Sequence, residues 1–401
     1  MINKFVKVKY LFTLNMGQSP DSESCNTLGN GIPFLQGKAD FGHISPTPKT
    51  YCISPKKIAD TGDILLSVRA PVGDMNIADT ECAIGRGLCA LKADKLNPKY
   101  AWYMLHSVID ELKSYATGST YDAVSTDDIK NIRCVVPASD IQCRVVKHLD
   151  KKITAIDGLI SSKNELVRLL KEKQISLISQ SVTRGLHSEA LMRNCGIEWL
   201  GKIPAHWQVL TNHQLFAERN IKCTDPDAVL LSVTKHFGVI LQSQAEELNL
   251  ATVALAETTE GYKVVHKGDL VMNIMRAKDG SYGISGYDGV ISPAYCIYYP
   301  RQKVNPQYLY YLFKTPMYME IFKNYSTGIA EHRMRLYPVN FFKIPAVVPP
   351  LEEQNEIVTY LDKRVKDIDE LISLTQQQIG KLKEYRQSII SEVVTGKVAV
   401  G

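Results

Sequence analysis

Two long stretches of this chain place an apolar residue at every third or fourth position and polar residues on most positions between. In the first the stripe runs Val146, Leu149, Ile153, Ile156, Ile160, Val167, Leu170 and Leu177, with Lys163 and Gln174 filling two of its steps. In the second it runs Val358, Leu361, Val365, Ile368, Ile372, Ile379, Leu382 and Ile389, with Thr375 and Arg386 at the matching steps. A stripe this narrow, kept for more than four heptads, predicts a coiled-coil seam rather than the broad face of a globular helix. Pro137 and Pro349–Pro350 stand at the starts, Asp140, Glu352 and Glu353 fall in the first turns, and Gly185 and Gly396 follow the last turns as C-caps. At 1.5 Å per residue each helix is a rod of roughly 65–70 Å. Two such rods in one chain pack most simply as an antiparallel coiled coil, which would set the two globular domains at opposite ends about a pseudo-twofold axis. Apolar residues beside the stripes (Leu159, Leu166, Leu169, Ile178 and Leu371, Ile390, Val394) are expected to leave a second face for other helices.

Elsewhere the period shortens. Runs such as "DILLSV" (63–68), "KVVHKGDLVMNI" (263–274) and "CIYY" (296–299), punctuated by Gly and Pro, predict short strands and loops with a few helices. The chain also repeats itself. "LDKKITAIDGLIS" (149–161) returns as "LDKRVKDIDELIS" (361–373), an offset of 212. "GDILLS" (62–67) matches "GDLVMN" (268–273), "NPKYAWYML" (97–105) matches "NPQYLYYLF" (305–313), and "YATG" (115–118) matches "YSTG" (325–328). The offsets drift slightly, as loop insertions would cause, while the order holds, so the chain is a duplicated domain pair rather than a solenoid. Asn97 and Asn305 are predicted N-caps, with Pro98 and Pro306 opening short helices that bury Tyr, Leu and Met. The expected organisation is an α/β (α+β) recognition-sized domain over 1–137 and a long helix over 138–185. A linker over 186–195, a second domain over 196–349, a second long helix over 350–396 and a tail over 397–401 complete it.

Composition narrows the function classes. A chain of 401 residues with 45% apolar content can build two or three packed cores. The apolar run in the opening "MINKFVKVKYLFTLN" is too short for a secretory segment, and no stretch approaches a membrane span. Nine cysteines without a C-x-x-C pair suit a reducing cytosol and argue against a disulfide framework or a structural zinc. The net charge of +5 leaves a nucleic-acid partner open, because phosphate binding depends on where the cations cluster. No Walker A segment and no H-E-x-x-H occurs, and no pairing of acidic residues with a downstream E-x-K marks a metal-dependent nuclease. "NPKY" and "NPQY" lack the second proline of the amino-methyltransferase motif, and no F-x-G-x-G loop accompanies them. Catalysis is therefore expected to belong to another chain.

The order of these segments resembles the specificity subunits of type I restriction–modification systems, in which two target recognition domains alternate with two helical regions. "GIPFLQGKADF" (31–41), "GDILLSVRAPVGDMNIAD" (62–79) and "AIGRGLCAL" (83–91) are similar to first-domain text, and "GIEWLGKIPAHWQVL" (196–210) to the usual entry into a recognition domain. "DGVISPAYCIYYP" (288–300) and "VVPPLEEQNEIVTYLD" (347–362) resemble the second domain's core and the entry into its helix. The first copy keeps only "VVPASDIQ" (135–142) of that entry motif. The resemblance implies a cytoplasmic, non-catalytic subunit that reads double-stranded DNA, with no membrane association. Its helices would dock two methyltransferase subunits and, through them, a restriction/translocase subunit. S-adenosylmethionine, ATP and Mg²⁺ would be needs of those partners, with no cofactor in this chain.

Sequence readout needs Arg, Asn, Gln or Lys on loops able to enter a groove. The candidates are Gln36, Lys38, Arg69 and Arg86 in the first domain, where the glycines beside Lys38 and Arg86 would allow close approach of a partner. In the second domain they are Lys235, His236, Arg276, Lys278, Arg333 and Arg335. The loops differ between the copies while the helices match. That contrast implies a bipartite, asymmetric target with an unread gap, which whole helical turns inserted into a rod should lengthen. A DNA methyltransferase or nuclease with a degenerate site, or a coiled-coil scaffold that binds no DNA, are the alternatives.

Overall fold

The computed structural model describes residues 4–116, 123–187, 189–250, 258–329 and 334–400. The chain divides into two compact units, Met1–Asn164 with Gln376–Gly401, and Glu165–Thr375. The boundaries fall inside the long helices rather than at their ends. Each long helix supplies residues to both units, so neither is a module separate from the globular parts.

In the first unit, Lys4–Lys7 pairs antiparallel with Arg133–Val136. A four-stranded antiparallel sheet follows, in the order Phe12–Met16, Leu88–Ala93, Ile64–Ser67, Met75–Ile77. Above it lies a five-stranded sheet in which Ile32–Leu35 runs parallel to Cys82–Ile84. One core gathers Leu66, Leu91, Tyr100 and Met104 with Leu149, Ile153 and Ile156 of the first long helix, and with Ile389, Ile390, Val393 and Val394 of the second.

The second unit repeats the plan. Gln208–Thr211 pairs antiparallel with Pro345–Val348. The four-stranded sheet runs Phe216–Arg219, Tyr295–Pro300, Leu270–Asn273, Tyr282–Ile284, strand for strand the order of the first copy. The run predicted over 263–274 is two strands, Lys263–Val265 and Leu270–Asn273, parted by a turn in which the Asp269 N–H donates to His266 O. The expected linker also carries structure: Met192–Asn194 pairs with Lys202–Pro204.

The long helices span Ser139–Arg184 and Leu351–Val394. Both end on glycines in the left-handed region, Gly185 at φ +77° and Gly396 at φ +76°, as the C-cap reading expects. At Gly185 a Cβ would also stand 2.9 Å from Glu353 Oε1. Within the first unit, Arg386 Nε donates to Asp157 Oδ1 at 2.9 Å and Lys163 Nζ to Gln378 Oε1 at 2.6 Å. Residue numbers rise along one helix as they fall along the other, so the segments there run antiparallel. Within the second unit, Gln174 Nε2 donates to Asp369 Oδ1 at 2.9 Å, and Val182 shares a core with Ile357 and Leu361. Three polar interruptions of the stripes, Lys163, Gln174 and Arg386, thus find partners across the pair, while Thr375 Oγ1 donates to Leu371 O of its own helix at 2.7 Å. Along the stripes Leu149, Ile153, Ile156, Leu361, Ile368, Ile372 and Ile379 are buried, and Ile160, Val167, Leu170, Val365 and Leu382 half-buried. Of the residues expected on a second face, Leu159, Leu166, Leu169 and Leu371 are exposed. Ile390 and Val394 are instead buried in the first core, and Ile178 packs partly against the second, because the globular domains cover the helix ends.

The repeated text now has physical meaning. Tyr103 Oη donates to Asp150 of "LDKK" at 2.8 Å, and Tyr311 Oη donates to Asp362 of "LDKR" at 2.7 Å. Asn97 caps the helix Pro98–Ser107 and Asn305 the helix Pro306–Phe313, each accepting from two backbone N–H groups. The cap backbones are tethered too: Asn97 N–H donates to Gln142 Oε1 and Asn305 N–H to Gln354 Oε1. Each glutamine returns its amide to the proline carbonyl ahead of its long helix. The same buried device docks each domain onto its helix.

Candidate nucleic-acid interface

The first domain brings all four of its candidates to one edge. Gln36 follows the strand Ile32–Leu35, Arg69 follows Ile64–Ser67, and Arg86 sits on the turn between Cys82–Ile84 and Leu88–Ala93. All three side chains are exposed. The turns are knitted together, since Val68 N–H donates to Gly87 O at 2.9 Å and Gly85 N–H to Leu35 O at 2.8 Å. Gln36 Nε2 reaches Ser19 Oγ at 3.4 Å. The glycines around Arg86 serve a different purpose from the one expected. A Cβ on Gly85 would stand 2.8 Å from Gln36 Oε1, and one on Gly87 2.5 Å from Gln36 O, so they admit the chain's own neighbouring turn rather than a partner. Lys38 opens a one-turn helix, and its ammonium meets Asp74 at 2.7 Å. That pair is exposed and contributes ~0–1 kcal/mol.

The second domain does the same with different loops. Lys235 and His236 are exposed on the turn joining Leu231–Thr234 to Gly238–Leu241. Exposed Arg276 and half-buried Lys278 lie on the loop after Leu270–Asn273, the repeat counterpart of the Arg69 loop. Arg335 is exposed, exchanges two backbone hydrogen bonds with Thr327, and is next to Leu336, whose N–H donates to Ile274 O at 2.9 Å. Arg333 lies outside the described residues. Apolar side chains stand exposed among these cations: Phe237 beside His236, and Met275 beside Arg276.

One cation the sequence reading passed over joins these loops. Lys314 Nζ donates to Lys235 O at 2.9 Å and to Gly280 O at 2.6 Å. Burial, reinforced by the Lys235 charge, pulls its pKa down to about 8. Its repeat counterpart is His106, whose ring meets Trp102 edge-on at 4.7 Å and whose pKa burial lowers to about 4, with Arg386 and Lys113 adding repulsion. The only available signal was that a cation and a titratable ring occupy one step of the repeat.

Among the described residues, no group of three or more His, Cys, Asp or Glu side chains is placed to hold a metal ion, and no helix is long and apolar enough to cross a membrane. Residues 3–168 and 241–384 match the type I restriction modification DNA specificity domain. The chain belongs to that family. Among its relatives is the MjaX specificity subunit of Methanocaldococcus jannaschii, 40% identical over 172 residues. That match covers 42% of this chain and 40% of the relative, so the chain spans about two fifths of the relative's length. The type I restriction enzyme MjaVIII specificity subunit of the same organism is 23% identical over 325 residues, 75% of this chain and 70% of the relative. A solved structure described as the basis of complex assembly and conformational transition of the type I R-M system covers 98% of both chains, with a TM-score of 0.70 at 15% identity. At that identity the likeness speaks for the fold, and it agrees with α/β domains each followed by a long helix.

Proposed function

We propose that this chain is the non-catalytic DNA-recognition and assembly subunit of a cytoplasmic type I restriction–modification complex. The observation that carries this function is the pairing of one duplicated scaffold with two unlike sets of cationic loops. Gln36, Lys38, Arg69 and Arg86 crown the first copy, while Lys235, His236, Arg276, Lys278 and Arg335 crown the second. Each domain reads one short element of double-stranded DNA, through Arg and Gln at base edges and Lys at phosphates. The target is accordingly bipartite and asymmetric. The long helices pair as an antiparallel coiled coil, and their exposed Leu159, Leu166, Leu169 and Leu371 receive two methyltransferase subunits, which in turn recruit the restriction/translocase subunit. S-adenosylmethionine, ATP and Mg²⁺ are bound by those partners.

Mapping methylated sites in cells that carry this chain and its methyltransferase partner tests the proposal. Two short specified elements around an unspecified gap are the expected result. A single continuous motif, or methylation without sequence preference, overturns it. Tight S-adenosylmethionine binding by the isolated chain would point instead to an enzyme.

A further inference from the structure

Lys314 follows the helix Pro306–Phe313 as its C-cap residue, and its side chain turns inward. Besides its two carbonyl acceptors it lies over the Tyr282 ring at 4.9 Å and the Tyr310 ring at 5.3 Å. Among the described residues no carboxylate pairs with it. A lysine gives up hydration in such a place, and the carbonyls and ring faces only partly replace it. The two acceptors belong to different reading loops: Lys235 to the turn ahead of Gly238–Leu241, and Gly280 to the end of the loop that carries Arg276 and Lys278. Around the tie the backbones are already close, since a Cβ on Gly283 would stand 2.7 Å from Gly238 Cα. In the first domain the same step of the repeat holds His106, whose buried Nε2 meets no hydrogen-bond partner among the described residues. The shared fold therefore does not require a tie at this place.

We propose that Lys314 is a positioning residue for DNA reading by the second domain. Its ammonium pins the Lys235–His236 turn to the Gly280 end of the neighbouring loop and so sets the register in which their side chains meet the bases. This role rests on the DNA-recognition function proposed above. Lys314 itself touches no DNA.

The test uses the full chain, its target duplex recovered from a randomised pool, and single-base changes in each half of that target. Lys314→Met is expected to lower discrimination against base changes in the second domain's half about tenfold. Discrimination in the other half, and the slope of log affinity against log salt, should stay at wild-type values, because no phosphate contact is lost. Lys314→Arg should restore discrimination. Intact discrimination in both halves of the Lys314→Met variant overturns the role, and so does a salt slope reduced by about one, which would make Lys314 a phosphate contact. Lys314→Gln, a shorter neutral donor, carries the same comparison should the methionine variant melt early. Wild-type chain without any sequence preference sinks the DNA-recognition function as well, whereas preserved preference in Lys314→Met sinks the positioning role alone.

Discussion

Single side chains join the recognition domains to the long helices, and they do so twice. Gln354 is 1% exposed, accepts from Asn305 N–H and donates to Pro349 O, each at 2.8 Å. Gln354→Ala would strand both backbone groups away from water, at about 1–3 kcal/mol. A lowered denaturation midpoint with an unchanged denaturant slope is the expected outcome, and Gln142→Ala should behave alike in the first copy. His106 makes a pH-dependent contribution. Its folded pKa of about 4 lies below the ordinary 6.5, so between those values the unfolded chain takes up a proton that the folded chain refuses. Stability is therefore full above pH 6.5, falls as the pH drops towards 4, and levels off below. The loss is on the order of 3 kcal/mol at most. Unfolding curves across that window should show the decline in the wild type and a shallower one in His106→Asn.

At the scale of elements, the long helices divide their apolar residues between two duties. Leu149 and Leu361, matched positions of the repeated text, are both 0% exposed and sit in the two cores. Leu149→Ala or Leu361→Ala should destabilise by about 2–5 kcal/mol. Leu159 and Leu371 are 53% and 51% exposed, and alanine there should stay within about 0.5 kcal/mol in the isolated chain. If these residues receive partner helices, the same alanines will weaken co-purification of the methyltransferase subunit without moving the melting temperature. The seam's polar steps add register rather than stability. Lys163 with Gln378, Gln174 with Asp369 and Arg386 with Asp157 bond only when the antiparallel segments are aligned.

For the whole molecule, the two domains repeat one sheet order, and the proposed function makes them independent readers. Replacing residues 196–349 by the second recognition domain of another specificity subunit should alter one element of the methylated target and leave the other as it was. Methylation mapping of the hybrid is the measurement, and a change in both elements would show that the domains do not read independently. Gln354, at the edge of the exchanged segment, keeps its partners only if the graft retains the Asn305–Pro306 cap and Pro349.

Much of this was legible along the chain alone. The heptad stripes, the N-caps at Asn97 and Asn305, the C-caps at Gly185 and Gly396 and the duplication are local or periodic, and local patterns survive in one dimension. Other features are properties of distance between residues far apart in number. The glycines flanking Arg86 make room for Gln36, Ile390 and Val394 belong to the core of the first unit, and Lys38 is paired with Asp74. Beyond sharing its step of the repeat with His106, Lys314 gave no sign of its role, because its two acceptors are main-chain carbonyls, which every residue possesses and no sequence distinguishes. Periodicity determined the helices and their repetition. Only tertiary folding decided which loops meet, because that depends on backbone approach across sheet edges rather than on the order of side chains.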